Sequence, residues 1–182
     1  MLYELLLVLM VLLPILWLRF VEKKKWKKVH TNLIPKYQGH KKEIVGTLAL
    51  FSALLLAFVV ITSCVSIIEE ASGIQINDLD KVSGIVQEDF AGGAWLFALT
   101  LIVMLFIEEF FFRAFLVPRI GMILPTILFT IAHFGYGSWM EILGVFLLGL
   151  ILAYWFKKKK SLFQNYFGHL LYDILAVALY LL

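Results

Sequence analysis

The chain has 182 residues, of which 62% are apolar and 16% are charged, and its mean hydropathy is +0.93. Soluble domains average about 45–50% apolar and about 25% charged residues. Because a small domain leaves much of its chain at the surface, this composition excludes a soluble fold, a disordered chain and a nucleic-acid binder. The net charge is only +3, and the single cysteine, Cys64, excludes an internal disulfide or a site of several thiolates. We therefore predict an all-α, polytopic membrane helical bundle.

Six apolar segments approach the roughly 20 residues that a spanning helix requires. Each must be helical, because an open strand edge in lipid would leave backbone groups unpaired. The first segment carries Glu4 and has no basic residue before it, unlike a secretory signal peptide. The predicted spans are residues 2–18, 44–68, 91–117, 120–136, 140–156 and 161–182.

The basic residues alternate between the connections of these spans. The first, third and fifth connections hold 15 of the 16 basic residues, mainly in the runs 23–42 and 157–160, whereas the second holds Lys81 against six acidic residues. Since cytoplasmic loops are enriched in Lys and Arg, six helices with both termini outside satisfy every loop. We interpret residues 23–42 as an anchor on anionic lipid, and residues 69–90 as a solvated external loop.

Ionisable residues inside spanning helices are costly in lipid, and they are candidate functional residues by default. At about 1.5 Å per residue, the acidic residues and histidines of three spans lie roughly 12 to 20 Å below the cytoplasmic surface. This is one layer near the middle of a core about 30 Å thick, so we expect the side chains to converge on one buried site. The residues are Glu108, Glu109 and Arg113, then His133, then His169 and Asp173.

The spacing of these residues suggests different roles. Glu109 and Arg113 are i,i+4 neighbours with the acid first, which favours a helical ion pair, and a buried Arg requires such a partner. Glu108 points about 100° round the helix and lacks that partner, which makes it a candidate general base or acid. His169 and Asp173 share a helix face. A purely structural role also stays open for each pair, as an ion-pair staple or as a carboxylate that orients a histidine.

Two hydrolytic mechanisms fit this set, which contains neither H-E-x-x-H nor G-x-S-x-G. In the first, Glu108 deprotonates a water molecule that His133 holds, and His169 with Asp173 stabilises the oxyanion. In the second, Glu108, His133 and His169 hold a divalent metal such as zinc. Both hydrolyse a peptide bond drawn into the membrane, and the residues alone do not choose between them.

Three motifs follow one another along the chain. Residues 108–113 read E-E-x-x-x-R, residues 129–133 read F-x-x-x-H, and residues 169–173 read H-x-x-x-D. In this order, on successive predicted membrane helices, they resemble the CPBP family of CAAX-processing and bacteriocin-processing intramembrane proteases, also called the abortive-infection family. The resemblance implies a relative of the type II CAAX-prenyl endopeptidases. It covers residues 91–182 and implies a four-helix catalytic core there. The preceding part, 1–90, holds the two N-terminal spans with the basic cytoplasmic and the acidic external loop.

The resemblance also implies roles for individual residues. Glu108 would activate water together with His133, and His169 with Asp173 would form the oxyanion site. The resemblance favours a glutamate-activated water without a catalytic metal. The third motif often ends in Asn in this family, so Asp173 is either a weaker oxyanion donor or a residue that orients His169.

The physiological substrate is open at this level. Glu109 and Arg113 would support the catalytic glutamate or the substrate. Members with CAAX activity have about eight helices rather than six, and many small bacterial members are linked to bacteriocin self-immunity or peptide maturation. We expect a prokaryotic plasma-membrane enzyme with a membrane-associated substrate, either a prenylated CAAX-type protein or a bacteriocin or other peptide precursor, and no nucleic-acid partner. The alternatives are a non-catalytic bacteriocin-immunity or regulatory protein and a small proton-coupled transporter.

Overall fold

A computed structural model describes residues 2–35 and 37–182; Lys36, one of the basic residues of the first connection, lies outside them. The described residues form helices and no strand, which confirms the predicted all-α membrane fold. The helices are α1 (Leu2–Leu16, continued by a π-helical turn at Trp17–Val21), α2 (Trp26–Leu33), α3 (His40–Ser72), α4 (Asp80–Gly92), α5 (Ala94–Ile120), α6 (Ile123–Ala132), α7 (Trp139–Lys159) and α8 (Leu162–Tyr180).

Three of these helices, α3, α5 and α7, are long and apolar enough to cross a membrane. Two further apolar helical stretches, Leu5–Val21 and Ile123–Tyr136, are shorter. The chain is therefore an integral membrane protein. The count of six spans and the outside location of both termini stay predictions.

The predicted fourth span, 120–136, differs most from the structure. Gly121 ends α5 with φ at +83°, a conformation that favours glycine over residues with a side chain. Helix α6 then begins only at Ile123 and covers 10 residues, about 15 Å, before a 3₁₀ turn at Phe134–Tyr136. A helix of this length is too short to cross a core of about 30 Å, and His133 lies at its C-terminal end.

Both long connections contain a helix where the sequence predicted a loop. In the basic connection, α2 buries Val29 and Leu33 in a core cluster that also contains Phe110 of α5. In the acidic connection, α4 buries Val82 and Val86. Residues 69–90 are therefore not a solvated loop throughout, because apolar residues four apart give α4 one buried side.

Helix α3 packs directly on α8, and close contact is possible because small residues lie between them. A Cβ atom at Gly168 would lie 2.9 Å from the buried side chain of Leu50. At the start of both helices, the buried carboxylate of Glu43 accepts hydrogen bonds from Ser161 Oγ (2.6 Å) and from the backbone N–H of Gln38 (2.8 Å). These contacts hold α8, which carries His169 and Asp173, against α3.

Asp78 fastens the segment before α4 to the start of α7. Its Oδ1 accepts hydrogen bonds from Ser138 Oγ (2.6 Å) and Met140 N–H (3.1 Å), and its Oδ2 accepts from Trp139 N–H (3.1 Å) and Lys81 Nζ (3.0 Å). Desolvation opposes ionisation of the carboxyl group, but these donors together hold the pKa of Asp78 well below its usual range.

We expect Asp78→Asn to reduce the free energy of unfolding by about 1 kcal/mol at neutral pH, as loss of a helix cap does. The pKa of Asp78 is lower in the folded than in the unfolded protein. The stability that its carboxylate contributes is therefore complete above the unfolded pKa of about 3.9, and it is lost as the pH falls from there through the folded-state pKa. Thermal unfolding in detergent at about pH 7 and about pH 2.5 measures this, with exposed Asp80→Asn as the control. An equal difference between wild type and Asp78→Asn at both pH values would contradict the assignment.

Candidate active site

Four of the six predicted site residues line one cavity. Glu108 comes from α5, His133 from the end of α6, and His169 and Asp173 from α8, and the cavity has a volume of about 280 Å³. Three elements that are far apart in the sequence thus bring one carboxyl group, two imidazoles and a second carboxyl group to the same space. Carboxyl groups and imidazoles that share one cavity are able to act as general acids or bases on a molecule bound there.

Glu109 and Arg113, the other two predicted residues, lie behind this cavity. Both are fully buried, at 0% and 1% exposure. Glu109 Oε1 lies 3.3 Å from Arg113 Nη1, a charge contact in which the guanidinium N–H groups are not aligned for a hydrogen bond. The Arg113 Cζ atom also lies 4.1 Å from the centre of the Phe129 ring on α6. A carboxylate and an aromatic face therefore compensate the buried positive charge.

Two adjacent glutamates of α5 have different environments. Residues Ala94–Glu108 are α-helical, and the turns at Glu109–Leu116 are π-helical, a local widening that is frequent at functional sites. Glu108 lines the cavity, whereas Glu109 is enclosed by side chains of α5 and α8. One glutamate is therefore available for chemistry while its neighbour organises the surrounding side chains.

His169 links the buried ion pair to the cavity. Its Nδ1 lies 2.9 Å from Glu109 Oε1, and its Nε2 lies 3.5 Å from Asp173 Oδ1. One turn earlier, Asn165 Nδ2 donates hydrogen bonds to Glu109 Oε2 (3.2 Å) and to the carbonyl of Leu152 (2.9 Å). Glu109 contacts Arg113, Asn165 and His169, so its position is fixed. It therefore fixes the orientation of the His169 ring, with Nε2 directed toward Asp173.

The hydrogen bond of His133 fixes its tautomer. His133 Nδ1 lies 2.8 Å from the carbonyl oxygen of Phe129. A carbonyl oxygen only accepts, so Nδ1 carries the proton and Nε2 of the neutral ring is an acceptor. The ring is also stacked at 6.0 Å on Tyr136, a second residue that lines the cavity.

Comparison with known proteins finds one family model that matches the part of the chain holding these residues. Residues 90–175, just under half of the chain, match the family model described as type II CAAX prenyl endopeptidase Rce1-like. We refer to this matched part of the chain as the Rce1-like domain. The match confirms the resemblance predicted from the three motifs, and the matched family implies protease activity in general terms. The chain has no significant match among curated proteins or solved structures.

The metal alternative requires three ligands around one point. The sequence offers Glu108, His133 and His169 for this purpose in the Rce1-like domain. In the part of the chain that the structure describes, no three His, Cys, Asp or Glu side chains are arranged as a metal-binding group. The donor set in this conformation therefore does not fit a preformed three-ligand centre.

In the Rce1-like domain, sequence reasoning missed Glu141 as a site residue, and it placed Asn165 near the face of His169 without predicting its contact with Glu109. Glu141 lines the cavity from the first turn of α7, and its backbone N–H donates to Ser138 Oγ (3.0 Å). The spacing S-x-x-E is the signature of a helix start, so it predicts that Ser138 caps the helix. It gives no indication that the Glu141 side chain lines the cavity. Asn165 lies one turn before His169 on α8, and this spacing was the available signal for its contact with Glu109.

Proposed function

We propose that this integral membrane protein is an endopeptidase that cleaves a peptide bond inside the bilayer with a water molecule activated by Glu108 and His133. The Rce1-like domain supports an intramembrane protease. The observation that carries the chemical proposal is the cavity where Glu108, His133, His169 and Asp173 meet from three helical elements.

Glu108 is the proposed general base. Among the described residues its side chain makes no hydrogen bond or ion pair, so the carboxylate is available to a water molecule. His133 Nε2 accepts one hydrogen of that water and orients it, and Glu108 takes the other proton as the water oxygen bonds to the carbonyl carbon. When the C–N bond breaks, Glu108 returns the proton to the leaving amine.

His169 is the proposed oxyanion donor. In its doubly protonated form the ring donates Nδ1–H to Glu109 and Nε2–H to the oxygen that becomes negative in the tetrahedral intermediate. The carboxyl groups on both sides of the ring, Glu109 at 2.9 Å and Asp173 at 3.5 Å, favour this form. A donor held in position before the reaction needs no reorganisation as charge develops. Arg113 acts through Glu109 and is a positioning residue.

Asp173→Asn is expected to keep kcat/KM within about tenfold of wild type, because Glu109, the nearer carboxylate at 2.9 Å, still favours the doubly protonated ring, and Asn retains a polar contact to His169 and adds an N–H donor beside the oxyanion. Asp173→Leu removes both and should lower kcat/KM by about 10²-fold. Initial rates of peptide cleavage by the two folded variants measure this difference. If Asp173→Asn loses as much activity as Asp173→Leu, the negative charge itself is required and the role assigned to this position is wrong.

The proposed substrate is a membrane-associated protein or peptide in a prokaryotic plasma membrane. It is a prenylated CAAX-type protein or a bacteriocin or other peptide precursor. Quenched peptides of one sequence, with and without a prenyl group on a single cysteine, distinguish these two classes. Cleavage that requires the prenyl group supports a CAAX-type substrate, and equal cleavage of both peptides supports a bacteriocin or other peptide precursor.

Each reaction is repeated with a strong chelator. Loss of cleavage by wild type would support the metal alternative instead of the metal-free mechanism.

A further inference from the structure

The cavity continues well beyond the catalytic layer. On α5 its lining runs from Glu108 back to Phe97, and on α8 it runs from His169 on to Tyr180. Each stretch covers eleven residue steps, about 16 Å of helix at about 1.5 Å per residue. An extended peptide advances about 3.3 Å per residue, so this length accommodates a segment of about five residues.

The exposure of the lining residues differs along the cavity. Near the catalytic layer the lining residues Leu105 and Leu152 are buried, whereas Asp89 of α4 and Thr100 of α5 are exposed. Helix α4 lies in the acidic connection, on the side opposite the lysine-rich connections in the predicted orientation. The cavity is thus accessible from the side of α4.

Apart from its histidines, the ionisable acid and base side chains of the cavity wall are all acidic. Carboxyl groups line it at four positions, and the described lining contains no Lys or Arg. The four are Asp89, Glu108, Glu141 and Asp173. A wall of this kind stabilises a positively charged group of a bound ligand and repels a negatively charged group.

Glu141 and Asp89 are the two carboxyl groups of the lining that the proposed mechanism does not use, and Glu141 is the partly buried one. The Glu141 side chain has no hydrogen bond or ion pair within the described ranges. Asp173 is the charged group that acts on it most, and no Lys, Arg or His acts on it or on its neighbours Tyr172 and Tyr180. Glu141 is partly buried in the first turn of α7, which Ser138 caps. A carboxylate at such a place, without a protein partner, is complementary to a cation that a ligand supplies.

We propose that Glu141 pairs with a lysine or arginine side chain of the substrate, so that the protease selects segments that carry a basic residue within a few residues of the scissile bond. The segment is inserted from the side of α4. This inference rests on the proposed function, since it assigns the substrate class of the same cavity. Asp89, at the exposed end, attracts the basic residue first, and Glu141 holds it once inside.

Binding of synthetic peptides to the full-length protein tests this pairing separately from cleavage. The probes are fluorescent Leu/Ala peptides of about 20 residues, a length that suits the bilayer, with one Lys placed in turn at each central position and a Gln counterpart for each. The protein carries Glu108→Gln so that no peptide is consumed. We expect at least one Lys peptide to bind about tenfold more tightly than its Gln counterpart, a difference of about 1.4 kcal/mol.

Adding Glu141→Gln should remove this preference, whereas adding Glu88→Gln should leave it intact. Glu88 is exposed on α4 next to Asp89, does not line the cavity, and loses the same charge. Adding Glu141→Lys instead should reverse the preference in favour of a peptide with Glu at the selected position. Thermal unfolding of each variant confirms that it is folded.

The outcomes separate this inference from the proposed function. If no Lys peptide binds more tightly than its Gln counterpart, or if the preference survives Glu141→Gln, the pairing is wrong even where the wild-type protein cleaves peptides. If the preference is present and depends on Glu141, but wild type cleaves none of the bound peptides, the pairing holds and the proposed protease activity is contradicted.

Discussion

Glu108→Gln is expected to lower kcat/KM for peptide cleavage by about 10³-fold while the protein stays folded. A positioned general base contributes about 10²- to 10⁴-fold to a rate, and the amide of Gln cannot take a proton from water. The substitution keeps the shape of the side chain, and Glu108 makes no hydrogen bond or ion pair within the described residues, so little stability depends on it.

The control for this experiment is Glu88→Gln, an exposed position on α4 that loses the same charge. Cleavage rates and thermal unfolding midpoints are measured for wild type and both variants in one detergent. Activity of Glu108→Gln within about tenfold of wild type would remove Glu108 from the role of general base.

Glu109→Gln is expected to lower the free energy of unfolding by about 3–5 kcal/mol, the usual effect of removing one partner of a buried ion pair. The reason is that Arg113 stays at 1% exposure, and the Phe129 ring at 4.1 Å and the Phe112 ring at 5.9 Å only partly compensate its charge. His169 and Asn165 also lose the ionised acceptor that holds them, so activity should fall with stability.

A second ion pair, between Arg119 of α5 and Glu22 after α1, provides the control. Arg119 Nη2 lies 2.8 Å from Glu22 Oε1, but both side chains are partly exposed, and Glu22→Gln should cost about 0–1 kcal/mol. The double substitution Glu109→Leu with Arg113→Leu should recover much of the stability but none of the activity. Denaturant unfolding in micelles measures all four proteins. Equal losses for Glu109→Gln and Glu22→Gln would show that Arg113 does not depend on its carboxylate.

The sequence predicted that the polar residues converge on one site, because polar side chains on a helix are costly in contact with lipid. Polar side chains at equal depth on three apolar helices have few places to go except toward one another. Glu109 beside Arg113 and His169 beside Asp173 followed from i,i+4 spacing, and the structure gives contacts of 3.3 and 3.5 Å for them. The link between the two pairs, from Glu109 to His169, joins different helices, and no local spacing encodes it.

Other features depend on packing that a single sequence does not display. The π-helical turns at Glu109–Leu116 have the composition of an ordinary helix. Helices α2 and α4 are short and rich in charged residues, so hydropathy assigned their residues to loops, although Val29 and Val86 are buried. Glu141 lies at a helix start, where an acidic residue has a structural explanation that hides its position on the cavity wall.

The most direct test of the account is mass-spectrometric analysis of lipidated and transmembrane peptides after incubation with the purified protein in detergent. Wild type and Glu108→Gln are run side by side. We expect one defined cut by wild type, within the membrane-embedded part of a peptide, and no product from Glu108→Gln. Cleavage of equal extent by both proteins, or no cleavage of any peptide by a folded wild type, would contradict a glutamate-activated intramembrane protease.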